Sequence, residues 1–192
     1  EREYKFYVLY DKLFVPYILR EAWKSVKANN GAPGVDGVTV EQVEQYGIET
    51  YLKDLGEELR RQTYQPQAVK RVMIDKANGG KRPLGIPTVR DRIAQTACKI
   101  ILEPIFEADF EESSYGFRPN RSSKDAITAI KENLKRGRTA VYDADLREYF
   151  DTIPHDKLHI ALKQRIADPR ILKLVKKWLK APVKEGGKYT SG

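Results

Sequence analysis

The stretch TAVYDADLREYFDTIPHD, Thr139 to Asp156, decides how the rest of the chain is read. From Thr139 to Leu146 small or apolar residues alternate with polar ones, the period-two pattern of a strand with one buried face. Asp143 and Asp145 then share a face, and Asp145 falls at the strand end, where a carboxylate can reach a sheet rim instead of lying unpaired in the core. Asp151 follows six residues later, just beyond Phe150. Hard cations such as magnesium favour carboxylate oxygens and keep much of their water, so acids on a rigid strand end, completed by substrate phosphates, make a metal site. Strand-end and helix-cap acids have the same local pattern, and a lone Asp-x-Asp does not separate the two readings.

Composition narrows the choice. The chain has 192 residues, 41% hydrophobic and 32% charged, enough to bury a core as one domain or two small lobes. No apolar run approaches the roughly 18 residues that span a bilayer, and the N-terminus is too charged for a secretion signal. A soluble, cytoplasmic protein with no membrane partner is expected. Cys98 is the single cysteine, which excludes an intrachain disulfide; with two histidines beside it, a four-ligand zinc site is excluded as well. A balance of 35 basic to 27 acidic residues suits a polyanionic partner.

The charge is not spread evenly. Strands are predicted over Val69 to Ile74 and Lys81 to Ile86, joined at Asn78-Gly79-Gly80, a turn that favours positive φ. Between Leu59 and Arg92 nine lysines and arginines face two acids, nearly the whole excess of the chain. Arg71, Lys81 and Arg90 in this region are candidates for holding phosphates, since each phosphate neutralised releases counterions. A basic hairpin also serves as a solvated edge that resists aggregation.

Elsewhere helices are expected. Tyr4 to Leu13 has a helical pattern. Pro16 opens a second helix with the stripe Ile18, Leu19, Ala22, Trp23 and Val26, which stops at Asn29-Asn30-Gly31. Gly31 to Gly37 has too many glycines for a regular element and is a shaped loop. Thr39 and Gln42 form a capping box for a helical region that runs to about Tyr64. Val89 to about Phe110 is a helix bent at Pro104. The loop from Ser113 to Ser122 combines Tyr115, Phe117, Arg118 and Arg121, a set that stacks on nucleic acid or braces a loop internally. The next helix points Ala126, Ile127, Ile130 and Leu134 inward and ends near Gly137. His155 to Ile166 and Pro169 to Leu179 are further helices, the second strongly basic outside. Lys184 to Tyr189 begins a hairpin.

Four stretches together, NNGAPGVDGVT at 29–39, GGKRPLGIPTVRDRIAQ at 79–95, SYGFRPNRSSKDAI at 114–127 and YDADLREYFDTIPHDKL at 142–158, resemble in order and approximate spacing the N-terminal half of a bacterial reverse transcriptase of the group II intron maturase type. The resemblance implies an α+β fold: helical and β-hairpin fingers on an incomplete antiparallel palm sheet of a right-hand polymerase. Residues 1–138 are then fingers and upper palm, and 139–192 the start of the palm. It implies magnesium, with manganese as the alternative, an RNA template, a DNA or RNA primer, and deoxynucleoside triphosphates. Intron RNA is a further partner, and a homodimer is among the expected states because an exposed strand edge near Val141 favours self-association.

Residue by residue, Asp145 matches the family's first metal-binding aspartate, with the Leu146 carbonyl as an added ligand. Phe150 matches the aromatic that closes the sugar pocket. Lys76 and Arg82 match positions that grip the triphosphate, and Ile86 the residue near the templating base pair. Arg118 and Arg121 match less specifically, to template contact or internal bracing; Asp143 and Asp151 read as structural. The family's Tyr-x-Asp-Asp turn, its Pro-Gln-Gly segment and its thumb have no counterpart in this sequence. A fragment is therefore expected, inactive by itself. An RNA-binding maturase without polymerase activity is the second reading. An unrelated magnesium phosphotransferase is the third, and it leaves the Gly-Lys-Arg-Pro and Tyr-Gly-Phe-Arg segments unexplained.

Overall fold

The computed structural model describes residues 4–75, 79–146 and 149–190. Eight α-helices and four strands are defined within them: α1 (Pro16–Asn29), α2 (Val40–Tyr46), α3 (Ile48–Arg60), β1 (Val69–Asp75), β2 (Lys81–Ile86), α4 (Val89–Glu107), α5 (Ser123–Lys135), α6 (Tyr149–Thr152), α7 (His155–Lys163), α8 (Pro169–Leu179), β3 (Val183–Glu185) and β4 (Lys188–Thr190). The α+β class holds. The sheet has the order β2-β1-β3-β4 and is mixed: β1 pairs with β2 antiparallel from Lys70↔Ile86 to Asp75↔Lys81, and with β3 in parallel at Val69↔Val183 and Lys70↔Lys184. No helix among the described residues is long and apolar enough to cross a membrane.

Local chemistry sets most helix ends. Pro16 occupies the first turn of α1, and Asn30, at φ 38°, closes it in the left-handed conformation. Thr39 and Gln42 form the expected capping box, and Ser122 and Asp125 form another at α5. The helical region after Thr39 is divided at Gly47, whose φ of 103° has no place inside a helix.

The core joins α1, α3, α4 and α8. Leu19, Ala22, Trp23 and Val26 of α1 meet Leu52, Leu55 and Leu59 of α3, Ile93, Ala94 and Ala97 of α4, and Ile171, Leu172 and Leu174 of α8. Each large aliphatic side chain buried there contributes about 1.5–3 kcal/mol. Cys98 is buried in the same cluster, and burial pushes its thiol up to about 12. Gly34 lies against the backbone of Thr88, where an added Cβ would come within 2.7 Å. Arg92 donates to the Ala32 carbonyl at 2.9 Å, so the glycine loop is fastened to the start of α4.

Three expectations change. Tyr4 to Leu13 is not a helix: Phe6 bridges Ile166 as extended backbone, and only Tyr10–Lys12 forms a 3-10 turn. Backbone partners decide this, since Phe6 exchanges hydrogen bonds with the Arg165 carbonyl and the Ala167 amide, both at 2.8 Å. Asp168 then accepts from the amides of Leu9 (3.0 Å) and Tyr10 (2.9 Å). The segment from Thr139 to Leu146 is irregular, not a strand, with Val141 and Tyr142 exposed. A strand pattern needs a ladder beside it, and among the described residues none pairs with it. The stripe of α5 expected to face inward, Ile127, Ile130 and Leu134, is also exposed.

One buried network ties these parts together. Asp91, 2% exposed, accepts from the Tyr64 hydroxyl, the Gln67 amide (3.0 Å) and the Thr88 hydroxyl (2.9 Å). Trp178 Nε1 donates to the Tyr64 hydroxyl at 3.0 Å, and Lys177 Nζ to the Tyr64 carbonyl at 2.8 Å. Burial first, then the Asp91 carboxylate, raises the Tyr64 phenol well above its ordinary value, so it stays a donor. Asp91→Ala strands several buried donors and is expected to cost about 3 kcal/mol. An unchanged urea midpoint would contradict this.

Asp168 supplies a pH test. Burial works to raise its carboxyl, but the Tyr10 and Leu9 amides and Arg170 outweigh burial and hold it below the ordinary value. A depressed folded value stabilises above the unfolded value of about 3.9, and this stability is lost as pH falls through the folded value. Acidification below about pH 4 should therefore destabilise the wild-type chain more steeply than Asp168→Asn, read as the difference in melting temperature across a pH series. Parallel curves would refute the assignment.

Candidate functional site

The basic hairpin is built from the sheet outward. Arg82 lies opposite Ile74 and Lys81 opposite Asp75 in the β1–β2 ladder, both exposed, and Ile86 lies half-buried opposite Lys70. Arg71 sits opposite Gly85, with one guanidinium nitrogen 4.0 Å from Glu185. The parallel β1–β3 pairing places that acid beside the hairpin. Lys76 lies outside the described residues.

Three further arginines proposed from sequence are committed to acids of the chain. Arg90 pairs with Glu58 at 2.9 Å and stacks over Tyr51, 5.3 Å from the ring centroid, which fastens α4 to α3. Arg118, with its side chain 5% exposed, donates to Glu107 at 2.7 Å and to the carbonyls of Glu111 (2.7 Å) and Ser114 (2.8 Å). It also lies over Phe110, and its hydrogen bonds hold the Glu107 carboxyl below the usual range. Arg121 pairs with Glu112 at 2.8 Å and lies over Tyr115. Of the two roles open to Arg118 and Arg121, bracing is the one observed, because the run of acids that ends α4 is within reach of both guanidinium forks.

The acidic segment is open to solvent. Asp143 and Asp145 are exposed in irregular backbone, and so is Leu146. Asp151 lies in α6. Among the described residues no three metal-type side chains converge. Asp145 therefore fits a divalent ion as one hard oxygen donor, and the donors present do not make a two-ion centre by themselves.

Phe150 is 71% exposed on α6, and its ring meets Phe117 edge-on at 5.6 Å and Tyr149 at 5.4 Å. Phe117 has φ 57° and is 92% exposed. A left-handed backbone at an aromatic residue is uncommon and turns this ring out of its loop towards α6. The structure thus joins the Tyr-Gly-Phe-Arg loop to the segment after Asp145. It likewise joins the glycine loop to α4 through Gly34 and Arg92, an association that sequence reasoning missed although both motifs were visible.

The match to the family model described as reverse transcriptase (RNA-dependent DNA polymerase) covers residues 74–191. Protein YkfC of Escherichia coli K12 is 44% identical over 173 residues, 86% of this chain and 45% of that protein. The group II intron-encoded protein LtrA of Lactococcus lactis subsp. cremoris is 37% identical over 182 residues, 94% of this chain and 30% of that protein. Among solved structures, a chain of the partial Cas6-RT-Cas1--Cas2 complex superposes with a TM-score of 0.59 at 21% identity, over 94% of this chain and 29% of the other, a likeness of fold. The chain spans less than half the length of these two curated relatives. On the family match and these identities, the chain belongs to the reverse transcriptase family and is homologous to group II intron-encoded proteins.

Proposed function

We propose that residues 1–138 are the fingers and upper palm, and 139–192 the start of the palm, of an RNA-directed DNA polymerase that extends a primer 3′ end on an RNA template. The observation that carries this reading is the edge-on contact of Phe150 with Phe117, which sets an exposed aromatic pair beside the acidic segment of a family-matched region. Arg82, Lys81 and Arg71 on the hairpin, with Lys76, which follows Asp75 in the sequence, hold phosphates. The guanidinium fork suits paired oxygens and lysine supplies a mobile point charge. Ile86 packs near the templating base pair. Asp145, with the Leu146 carbonyl, donates to a magnesium ion, or manganese in its place, that neutralises the triphosphate when bound.

Phe150 acts on the sugar. Ribose differs from deoxyribose by one hydroxyl, and an apolar pocket rejects an added hydroxyl only modestly unless something solid fills its place. Five residues after Asp145, the Phe150 ring fills that place and closes the pocket to ribonucleotides. A second reading, RNA binding in support of splicing, draws on the 33% identity over 94 residues with nuclear intron maturase 1, mitochondrial, of Arabidopsis thaliana.

In the whole protein that carries this chain, Asp145→Asn is expected to reduce primer extension to background while the melting temperature stays unchanged, since the side chain is exposed. Full extension by that variant, or no extension by the wild-type protein, would favour the splicing reading.

Phe150→Val is expected to raise the kcat/KM ratio of ribo- to deoxynucleotides by about ten- to a hundredfold. Equal losses with both substrates, joined to a lower melting temperature, would make the ring structural.

A further inference from the structure

Residues 169–184, from helix α8 into the first two residues of β3, contain six basic residues and no acid. The apolar stripe of α8, Ile171, Leu172 and Leu174, is buried, which leaves Lys173, Lys176 and Lys180 exposed on the outer side. Their spacing puts them on one line. With a rise of about 1.5 Å per residue the line is ~10 Å long, about three phosphates along one strand of a duplex at about 3.4 Å each.

The surface along this line is concave. One depression, walled by Tyr10, Gln62, Lys173 and Lys177, leads to a groove of about 370 Å³ between Pro66, Pro182 and the α8 lysines. A third cavity of about 430 Å³ follows, lined by His155, His159, Lys176 and Lys180, with Asp156 as its acid. Lys173 and Lys177 wall the first two, and Lys176 and Lys180 wall the second and third. These lysines thus border a row of three hollows along α8, the α8 track.

Several arginines hold carboxylates, Arg90, Arg118 and Arg165 away from this surface and Arg170 at its first depression. Lys173, Lys176 and Lys180 have no acid partner among the described residues. Burial first, and then the charge of Lys173, push the Lys177 ammonium below its ordinary value. A face kept only for solubility mixes both signs, whereas a concave face of one sign focuses the field on a polyanion.

We propose that the α8 track is a second nucleic-acid surface, which holds the phosphodiester backbone of an RNA strand without reading its bases. It rests on the reading of the chain as an RNA-handling enzyme, and it adds a surface on an element apart from the β1–β2 hairpin. Lysine point charges follow a backbone of any sequence, and base readout would need the paired donors that this track lacks.

The test compares a Lys173→Gln, Lys176→Gln, Lys180→Gln triple variant with a Lys81→Gln, Arg82→Gln double variant of this chain. Anisotropy of a labelled RNA stem-loop is followed over a salt series. The triple variant should melt like the wild type, because the substituted side chains are exposed, and should bind about tenfold or more weakly at moderate salt. Its log–log salt slope should fall by about two, since each lost phosphate contact removes about 0.7–0.9. The same three positions changed to arginine should restore the slope. A triple variant with the wild-type slope, beside a double variant whose slope falls, would overturn the α8 track and leave the polymerase reading intact. No RNA binding by the wild-type chain even at low salt would instead strike that underlying reading. A polyglutamate peptide that binds the lysine line while RNA affinity is the same in wild type and triple variant would make the track a protein-docking surface and also overturn the proposal.

Discussion

A carboxylate removed from water must be surrounded by donors or it costs several kcal/mol, and the fold meets that requirement at Asp91, as it does at Asp168. The three donors to Asp91 come from two places: Tyr64 and Gln67 ahead of β1, and Thr88 at the cap of α4. Trp178 of α8 joins through the Tyr64 hydroxyl. The hairpin therefore leaves the core in a set direction, with α8 beside it, and β3 follows from α8 to pair in parallel with β1. Other arrangements of the same apolar helices would leave the carboxylate short of donors, so the network selects one packing as well as stabilising it.

Charge in this protein is divided by residue chemistry. Arginines near acids become braces, as Arg118 does for the loop around Phe117 and Arg170 does between Asp11 and Asp168. The planar fork is suited to that work, because it accepts several fixed partners at once and holds its charge when buried. Lys173, Lys176 and Lys180 at α8 stay in solvent, as Lys81 and Arg82 do on the hairpin. The hairpin and α8 are thus two elements that offer exposed positive charge to a polyanion.

The acidic segment has the opposite character. Asp145 belongs to a stretch with a strand's alternation and, among the described residues, no ladder; it follows α5, whose apolar stripe Ile127, Ile130 and Leu134 is exposed. Its contact with the rest of the chain comes through aromatic edges, Phe150 on Phe117, so the loop that Arg118 braces is also the support for the residues after Asp145. Bracing arginines in this sense hold up the candidate site from behind.

Signals that act within a few residues were legible in the sequence. The capping boxes at Thr39 and Ser122, the proline entry to α1, the β1–β2 hairpin, α8 with its basic outer side and the start of the last hairpin each depend on neighbours three or four positions away or on a turn. The family was legible too, because four short motifs kept their order. Partners far along the chain decided the rest. Phe6 is extended because Arg165 and Ala167 present matching backbone groups, while the alternation after Thr139 finds no such partner among the described residues. Arg90 and Arg118 became braces because folding brought Glu58 and Glu107 to them, and Phe117 met Phe150 only because two loops converged. Periodicity states which face of an element is apolar; what covers that face, or which acid reaches a guanidinium, is a matter of tertiary contact between residues that the chain places far apart.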